Sequence, residues 1–172
     1  MKAIAERSDI LPQLAEVFRA HGYEGATLAL IGEATSLGKG SLYHFFPGGK
    51  SQMAAEVLAE IDRWFEDNIF TPLQAADDPA RAVAEMVEAV DRYFRSGQRV
   101  CLVGVIALGA ARDSFATQVR DYFSRWQTAL TAALKRLGLG AAAARRRAEA
   151  ALLSIQGALV LARAMDDPKV FS

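Results

Sequence analysis

The sequence predicts an all-α protein, with three short helices in residues 1–48 and five longer ones after them. Two observations carry this. Apolar residues recur three and four apart along nearly the whole chain, and no run alternates as a half-buried strand would. Gly and Pro fall between the periodic runs, where helices stop and start. Hydrophobic residues make up 52% of the 172, which is ample for a core and unlike a disordered chain.

Leu11, Leu14, Val17 and Phe18 share one face of a first helix that ends before Gly22. Pro12 fits its first turn if Ser8 or Asp9 caps it. "HGYEGAT" is a loop, and Thr27 caps a helix over 28–35 with Leu28, Ile31 and Ala34 inward. Thr35-Ser36-Leu37-Gly38 is a tight connection to a very short helix within 38–46, which Pro47-Gly48-Gly49 stops. The next helix runs from about Lys50 to Phe70, with Met53, Val57, Ile61, Trp64 and Phe65 as its stripe. After a turn at "TPLQAADDP" come helices at 79–96, 101–112, 114–137 and 141–165, the last two joined by "LGLG".

Bulk properties narrow the function. Formal net charge is zero, which argues against broad coating of nucleic acid and leaves room for a small local contact face. Cys101 is the single cysteine, so one chain has neither a disulfide framework nor a Cys-rich metal site. The longest unbroken apolar run, "VCLVGVIALGAA", is shorter than the ~20 residues a bilayer span needs. "MKAIAERSDI" lacks the apolar region of a signal peptide. A soluble cytoplasmic protein without a membrane partner is expected. There is no glycine-rich phosphate loop, no nucleophile with a recognisable base, and no metal spacing around His21 and His44. The sequence therefore predicts neither an enzyme nor a cofactor or metal site.

"SLGKGSLYHFFPGGK", residues 36–50, is the most informative stretch. Gly40 lies where a helix is expected and costs roughly 1 kcal/mol relative to Ala there. On a helical wheel Gly38, Leu42, Phe45 and Phe46 form the core side. The opposite arc carries Gly40, Tyr43 and His44, flanked by Lys39 and Ser41. These groups hydrogen-bond to phosphates and base edges, and a bare glycine lets the helix sit close to them. Preceded by a helix and a tight turn, this has the form of a helix-turn-helix whose second helix reads DNA.

The stretch "GYEGATLALIGEATSLGKGSLYHFFPGGKSQM" (22–53) also resembles the DNA-binding region of the TetR family of transcriptional repressors. The resemblance rests on the Gly-aromatic after helix one, the Thr cap, and the Ile-small pair in helix two. It continues in Lys-Gly-Ser-Leu-Tyr and in a Phe ahead of a Lys that opens helix four. "FPGGK", "CLVGVIALGAARD" and "GALVLARAMDDP" are similar to the LmrA/YxaF-like branch. Two departures stand out: Thr35-Ser36 replaces the common Ala-Gly, and Gly38 replaces a common Ser.

The resemblance implies a helix-turn-helix DNA-binding domain over 1–48 and a helical ligand-binding and dimerisation domain over 49–172. It places Lys39, Ser41, Tyr43 and His44 at the major groove of a double-stranded operator, with phosphates on Thr27 and Lys50. It implies a homodimer, for which Phe123, Leu130, Ala150, Ser154, Ala158 and Leu161 are the candidate interface. A pocket for a largely apolar effector would draw on Trp64, Phe65, Phe94, Phe115, Trp126 and Gln156. Members often continue with a further short helix, whereas this sequence stops six residues beyond Asp166. The function expected is a ligand-responsive repressor on a near-palindromic operator. The alternative is a helical interaction protein that has lost DNA binding, suggested by the two departures and by a charge-neutral first fifty residues. Those residues hold five cations (2, 7, 19, 39, 50) and five carboxylates (6, 9, 16, 24, 33).

Overall fold

The computed structural model describes residues 6–171, so Lys2, one of the five cations counted above, lies outside the described residues. The described residues contain helices and turns and no strand. The α-helices are α1 (Leu11–Gly25), α2 (Leu28–Thr35), α3 (Lys39–Phe45), α4 (Gly49–Phe65), α5 (Thr71–Ala75), α6 (Pro79–Tyr93), α7 (Leu102–Leu108), α8 (Ala116–Arg136) and α9 (Ala141–Met165).

Helix α1 breaks where expected. Gly22 has φ +68° and ψ 176°, so the regular helix ends just before it. Its start differs. A 3-10 turn at Arg7–Asp9 precedes it, Ile10 occupies the N-cap, and neither Ser8 nor Asp9 does. Pro12 still falls within the first turn, where its missing N–H costs nothing. In α2 the buried pair is Ile31 and Thr35, whereas Ala34 is exposed. Thr35 is tolerated inside because its hydroxyl donates to the Ile31 carbonyl at 2.7 Å.

The fourth predicted helix does not stop at Phe70. The ladder widens into a π turn over Glu66–Phe70 and continues as α5 to Ala75. Pro72 explains the change: it lacks an N–H and its ring needs room in the preceding turn, and the wider i→i+5 turn lies immediately ahead of it. Glu66 accepts from the Thr71 hydroxyl at 2.6 Å and pairs with Arg125, whose guanidinium lies over the Phe70 ring. The expected helix at 101–112 is α7 followed by a 3-10 segment at Ala110–Phe115. Helix α6 is capped by Asp78, whose Oδ1 accepts from the amides of Ala80 and Arg81 at 3.0 and 3.1 Å. Asp78→Ala is expected to lower stability by about 1 kcal/mol, measured by urea denaturation.

The fold divides into two compact units, one running up to Asp62 with Leu102–Val119, the other Arg63–Cys101 with the chain from Arg120 onward. The predicted boundary after residue 48 lies inside the first unit. In that unit α7 packs on α1, over a core of Ile10, Leu14, Phe18, Ile31, Leu42, Phe46 and Met53. The second unit centres on an aromatic cluster. Phe65 meets Tyr122 at 4.8 Å, Tyr93 at 4.9 Å and Trp126 at 5.1 Å between ring centroids. Helix α6 ends in three consecutive left-handed residues, Arg95, Ser96 and Gly97. Ser96 holds that turn by donating from N and Oγ to the carbonyl and carboxylate of Asp91.

Candidate nucleic-acid interface

The interface is assembled by α2, its turn and α3. Thr27 has extended backbone and its Oγ1 accepts from the Leu30 amide at 3.2 Å, an N-cap that leaves the hydroxyl proton free. Thr27→Ala is expected to cost about 1 kcal/mol of stability, read in the same denaturation experiment. At the far end of α2, Ser36 adopts the left-handed conformation with φ +56°, the geometry that Gly adopts more easily. Leu37 N then donates back to the Gly32 carbonyl at 3.1 Å. A Cβ on Gly32 would lie 2.9 Å from the Leu37 carbonyl oxygen, so the turn closes only against a bare α-carbon.

Gly38 is the N-cap of α3, extended at φ −70° and ψ 160°, with no side chain to cap the helix. Leu42 and Phe46 are fully buried and seat α3 on the core. The opposite arc is Lys39, Gly40, Ser41, Tyr43 and His44, all exposed. A Cβ on Gly40 would meet nothing within 4 Å. The packing of this chain therefore does not require that glycine.

The Pro47-Gly48-Gly49 break is held by residues whose role the sequence alone did not reveal. The Gly48 amide donates to Gln52 Oε1 at 2.7 Å, and Gln52 Nε2 donates to Glu56 Oε1 at 2.8 Å. Arg7 closes the series with its own 2.9 Å bond to that Glu56 oxygen, its guanidinium lying over Phe46. The signal available was the i,i+4 spacing of residues 48, 52 and 56. Gly49, at φ +66°, lies beside Tyr43, whose Cε1 is 3.5 Å from where a Cβ on that glycine would sit.

Lys50 is placed differently from the other candidates. Its ammonium donates to the Tyr23 and Glu24 carbonyls at 2.8 and 3.4 Å and lies 4.6 Å from the Tyr23 ring centroid. Two of its three donors thus tie the start of α4 to the end of α1. Lys50→Met is expected to lower stability by about 1 kcal/mol as well as weakening any DNA contact, separable by thermal melting without DNA.

The expected pocket residues fall in both units. Phe65, Phe94 and Trp126 are fully buried in the aromatic core of the second unit, with the Trp64 ring tilted against Tyr93 at 4.4 Å between centroids. Phe115 belongs to the first unit, edge-on to Tyr23 at 5.3 Å. Gln156 is half-buried, and its Nε2 has no partner among the described residues.

The expected dimer residues divide. Leu130 is covered within its own chain at 2% exposure, because α8 turns its apolar row, including Trp126, into the core; it is withdrawn from the interface. Phe123 is half-buried, and Ala150, Ser154 and Leu161 are exposed, with Ala158 partly so. Leu153, Val160 and Met165 extend the exposed apolar face of α9. By length and composition α9 could cross a membrane, with 17% of that stretch buried inside the chain. Among the described residues, no three His, Cys, Asp or Glu side chains gather to hold a metal ion.

A fold of this kind, with an exposed recognition helix behind a tight turn, defines a helix-turn-helix DNA-binding regulator. Residues 10–57 match the family described as bacterial regulatory proteins, tetR family, and residues 79–172 match the C-terminal domain described as transcriptional regulator LmrA/YxaF-like. The chain belongs to the TetR family of transcriptional regulators, in its LmrA/YxaF-like branch. It is similar to the HTH-type transcriptional regulator LmrA of Bacillus subtilis (strain 168), 25% identical over 159 residues covering 90% of this chain and 85% of that protein. The uncharacterized HTH-type transcriptional regulator YxaF of the same strain is also 25% identical, with 90% and 83% covered. A TetR transcriptional regulator from Legionella pneumophila shares the fold, with a TM-score of 0.82, 18% identity, and 99% and 93% of the two chains covered. The regulatory protein TetR from Rhodobacter sphaeroides gives 0.81 at 20% identity over 98% and 94%.

Proposed function

We propose that this protein is a cytoplasmic, ligand-responsive repressor that binds a near-palindromic operator as a homodimer. The observation that carries the reading is the exposed arc of α3, where Lys39, Ser41, Tyr43 and His44 surround a glycine that nothing in the chain needs. Residues 1–48 supply DNA binding, and residues 49–172 supply the effector site and the dimer contact. Lys39, Ser41, Tyr43 and His44 meet base edges and phosphates, while the Thr27 hydroxyl takes a phosphate beside the free amides of α2. The third donor of Lys50 reaches a further phosphate.

The exposed row Ala150, Ser154, Ala158 and Leu161 on α9 supports pairing with a second copy. Small residues at four-residue spacing allow close approach, and Phe123 of α8 adds to the face. Glu149 and Arg163 on α9, with Asp166 at its end, favour a protein partner over a bilayer, since each charge is costly in hydrocarbon. Release follows if the effector binds the DNA-free conformation more tightly than the bound one. In this reading the effector acts on the recognition helix through α4, which spans Gly49–Phe65.

The test is selection of random duplex DNA on the purified protein, with stoichiometry measured on the winning sequence. A near-palindrome bound by two or four chains is expected. With few cations near the groove, the logarithmic salt slope is expected to be shallow, at roughly 0.9 per phosphate neutralised. No enrichment at low salt would overturn the reading in favour of a helical interaction protein.

A further inference from the structure

The recognition helix leaves into a stretch with little stiffness of its own. Phe46 closes α3, and α4 begins at Gly49, directly after Pro47 and Gly48. Glycine has the widest backbone freedom of any residue, and two in succession here adjoin an operator-facing side chain. Tyr43 Cε1 lies 3.5 Å, and its hydroxyl 3.9 Å, from where a Cβ on Gly49 would sit. Recognition groups act only when held within about 0.5 Å of their working geometry. Something must therefore hold the glycines.

Gly49 N donates to the Phe46 carbonyl at 2.9 Å, which closes the turn locally. The Gly48 amide is held from outside the turn, by Gln52 Oε1 at 2.7 Å. Gln52 is half-buried and is itself held, because its Nε2 donates to Glu56 Oε1 at 2.8 Å. The carboxylate only accepts and the Gly48 amide only donates, so the orientation of the Gln52 amide is determined at both ends. Arg7, in the 3-10 turn ahead of α1, fixes the last member by donating to the same Glu56 oxygen at 2.9 Å. Its guanidinium also lies 5.5 Å from the centroid of Phe46, the fully buried residue that closes α3. All of these residues belong to the first unit.

We propose that Arg7, Glu56 and Gln52 are positioning residues for operator recognition, which act through the Gly48 amide to fix the exit of α3 and the surface against Tyr43. The inference rests on the reading of α3 as the helix that meets DNA. It gives Arg7 a part in recognition by way of Glu56 and not by contact with a phosphate. The Arg7 and Glu56 side chains are 47% and 26% exposed, and exposed pairs add little to global stability. The effect therefore belongs to binding more than to melting.

The test is titration of the selected operator with full-chain Arg7→Met, Gln52→Met and the double variant. Each single change is expected to weaken binding about three- to tenfold. The double variant is expected to lose no more than the worse single one, since both break the same series. Melting temperatures are expected to stay within about 2–4 °C of the parent. The logarithmic salt slope of Arg7→Met is expected to be unchanged, and a fall of about 0.9 would mean that Arg7 neutralises a phosphate itself, which overturns the proposal. Gln52→Glu keeps an acceptor for Gly48 but sets a second carboxylate against Glu56, and is expected to weaken binding as Gln52→Met does. Combining it with Glu56→Gln restores a donor facing an acceptor at every step and leaves the net charge as in the parent, so affinity is expected to return. Additive losses, or a combined variant as weak as Gln52→Glu alone, would overturn the proposal. An operator bound equally by the parent and every variant overturns this inference alone. A chain that selects no operator overturns the repressor reading and this inference with it.

Discussion

Gly32→Ala is expected to abolish operator binding and to lower stability by about 1–3 kcal/mol, although Ala is the better helix former by about 1 kcal/mol. The new methyl carbon would stand 2.9 Å from the Leu37 carbonyl oxygen. That oxygen belongs to the backbone of the turn, so no rotamer change relieves the clash. Relief requires the turn to open, which strains the 3.1 Å bond from Leu37 N to the Gly32 carbonyl. Ser36 is already left-handed and has little freedom left to absorb the shift. Since α3 begins two residues after Leu37, any opening turns the recognition helix relative to α2. For a chain of this size 1 kcal/mol corresponds to roughly 2–4 °C in Tm, so a melting curve reads the fold and an operator titration reads the helix orientation. Unchanged operator affinity would show that the turn is softer than its geometry implies.

This contact also shows where the sequence was legible and where it was not. The exposed arc of α3 follows from 3.6-residue periodicity, which is local, and Leu42 and Phe46 are buried opposite Tyr43 and His44 as that periodicity requires. Gly22, Ser36 and Gly38 took the conformations their positions in a turn or cap demand. Close approach between parts of the chain leaves no such trace. Gly32 read only as a small residue after Ile31, with nothing to indicate that the Leu37 carbonyl comes down on it. The Gly48–Gln52–Glu56–Arg7 series needed Arg7 brought from 49 positions away. The second unit was least legible for a related reason. Phe65, Phe94 and Trp126 look the same in a sequence whether they sit at a rim or inside, and all three are fully buried. Leu130 lies on an apolar row that served a core or an interface equally well until Trp126 was seen pointing the row inward. The π turn before Pro72 is a backbone response that no periodicity encodes.

Gly40→Ala is expected to act on stability with the opposite sign. Nothing in the protein lies within 4 Å of the added carbon, and the residue is the second of a seven-residue helix. Removing glycine from a helix stabilises it by up to about 1 kcal/mol, here at no steric cost, so the melting temperature is expected to rise slightly. Operator affinity is expected to fall at least about tenfold, or 1.4 kcal/mol, because the carbon occupies the space through which α3 approaches DNA, and Gly40→Leu is expected to fall further. A stabilised protein that has lost its operator would separate folding from recognition at a single atom. If Gly40→Ala is both more stable and equally tight on DNA, the glycine is an unused cost, and the close approach that underlies the interface is wrong. The comparison with Gly32 sharpens this, since the same substitution in adjacent helices is destabilising where the neighbour is the chain itself and stabilising where it is DNA. Both are expected to impair operator binding, one by turning the recognition helix and the other by holding it away.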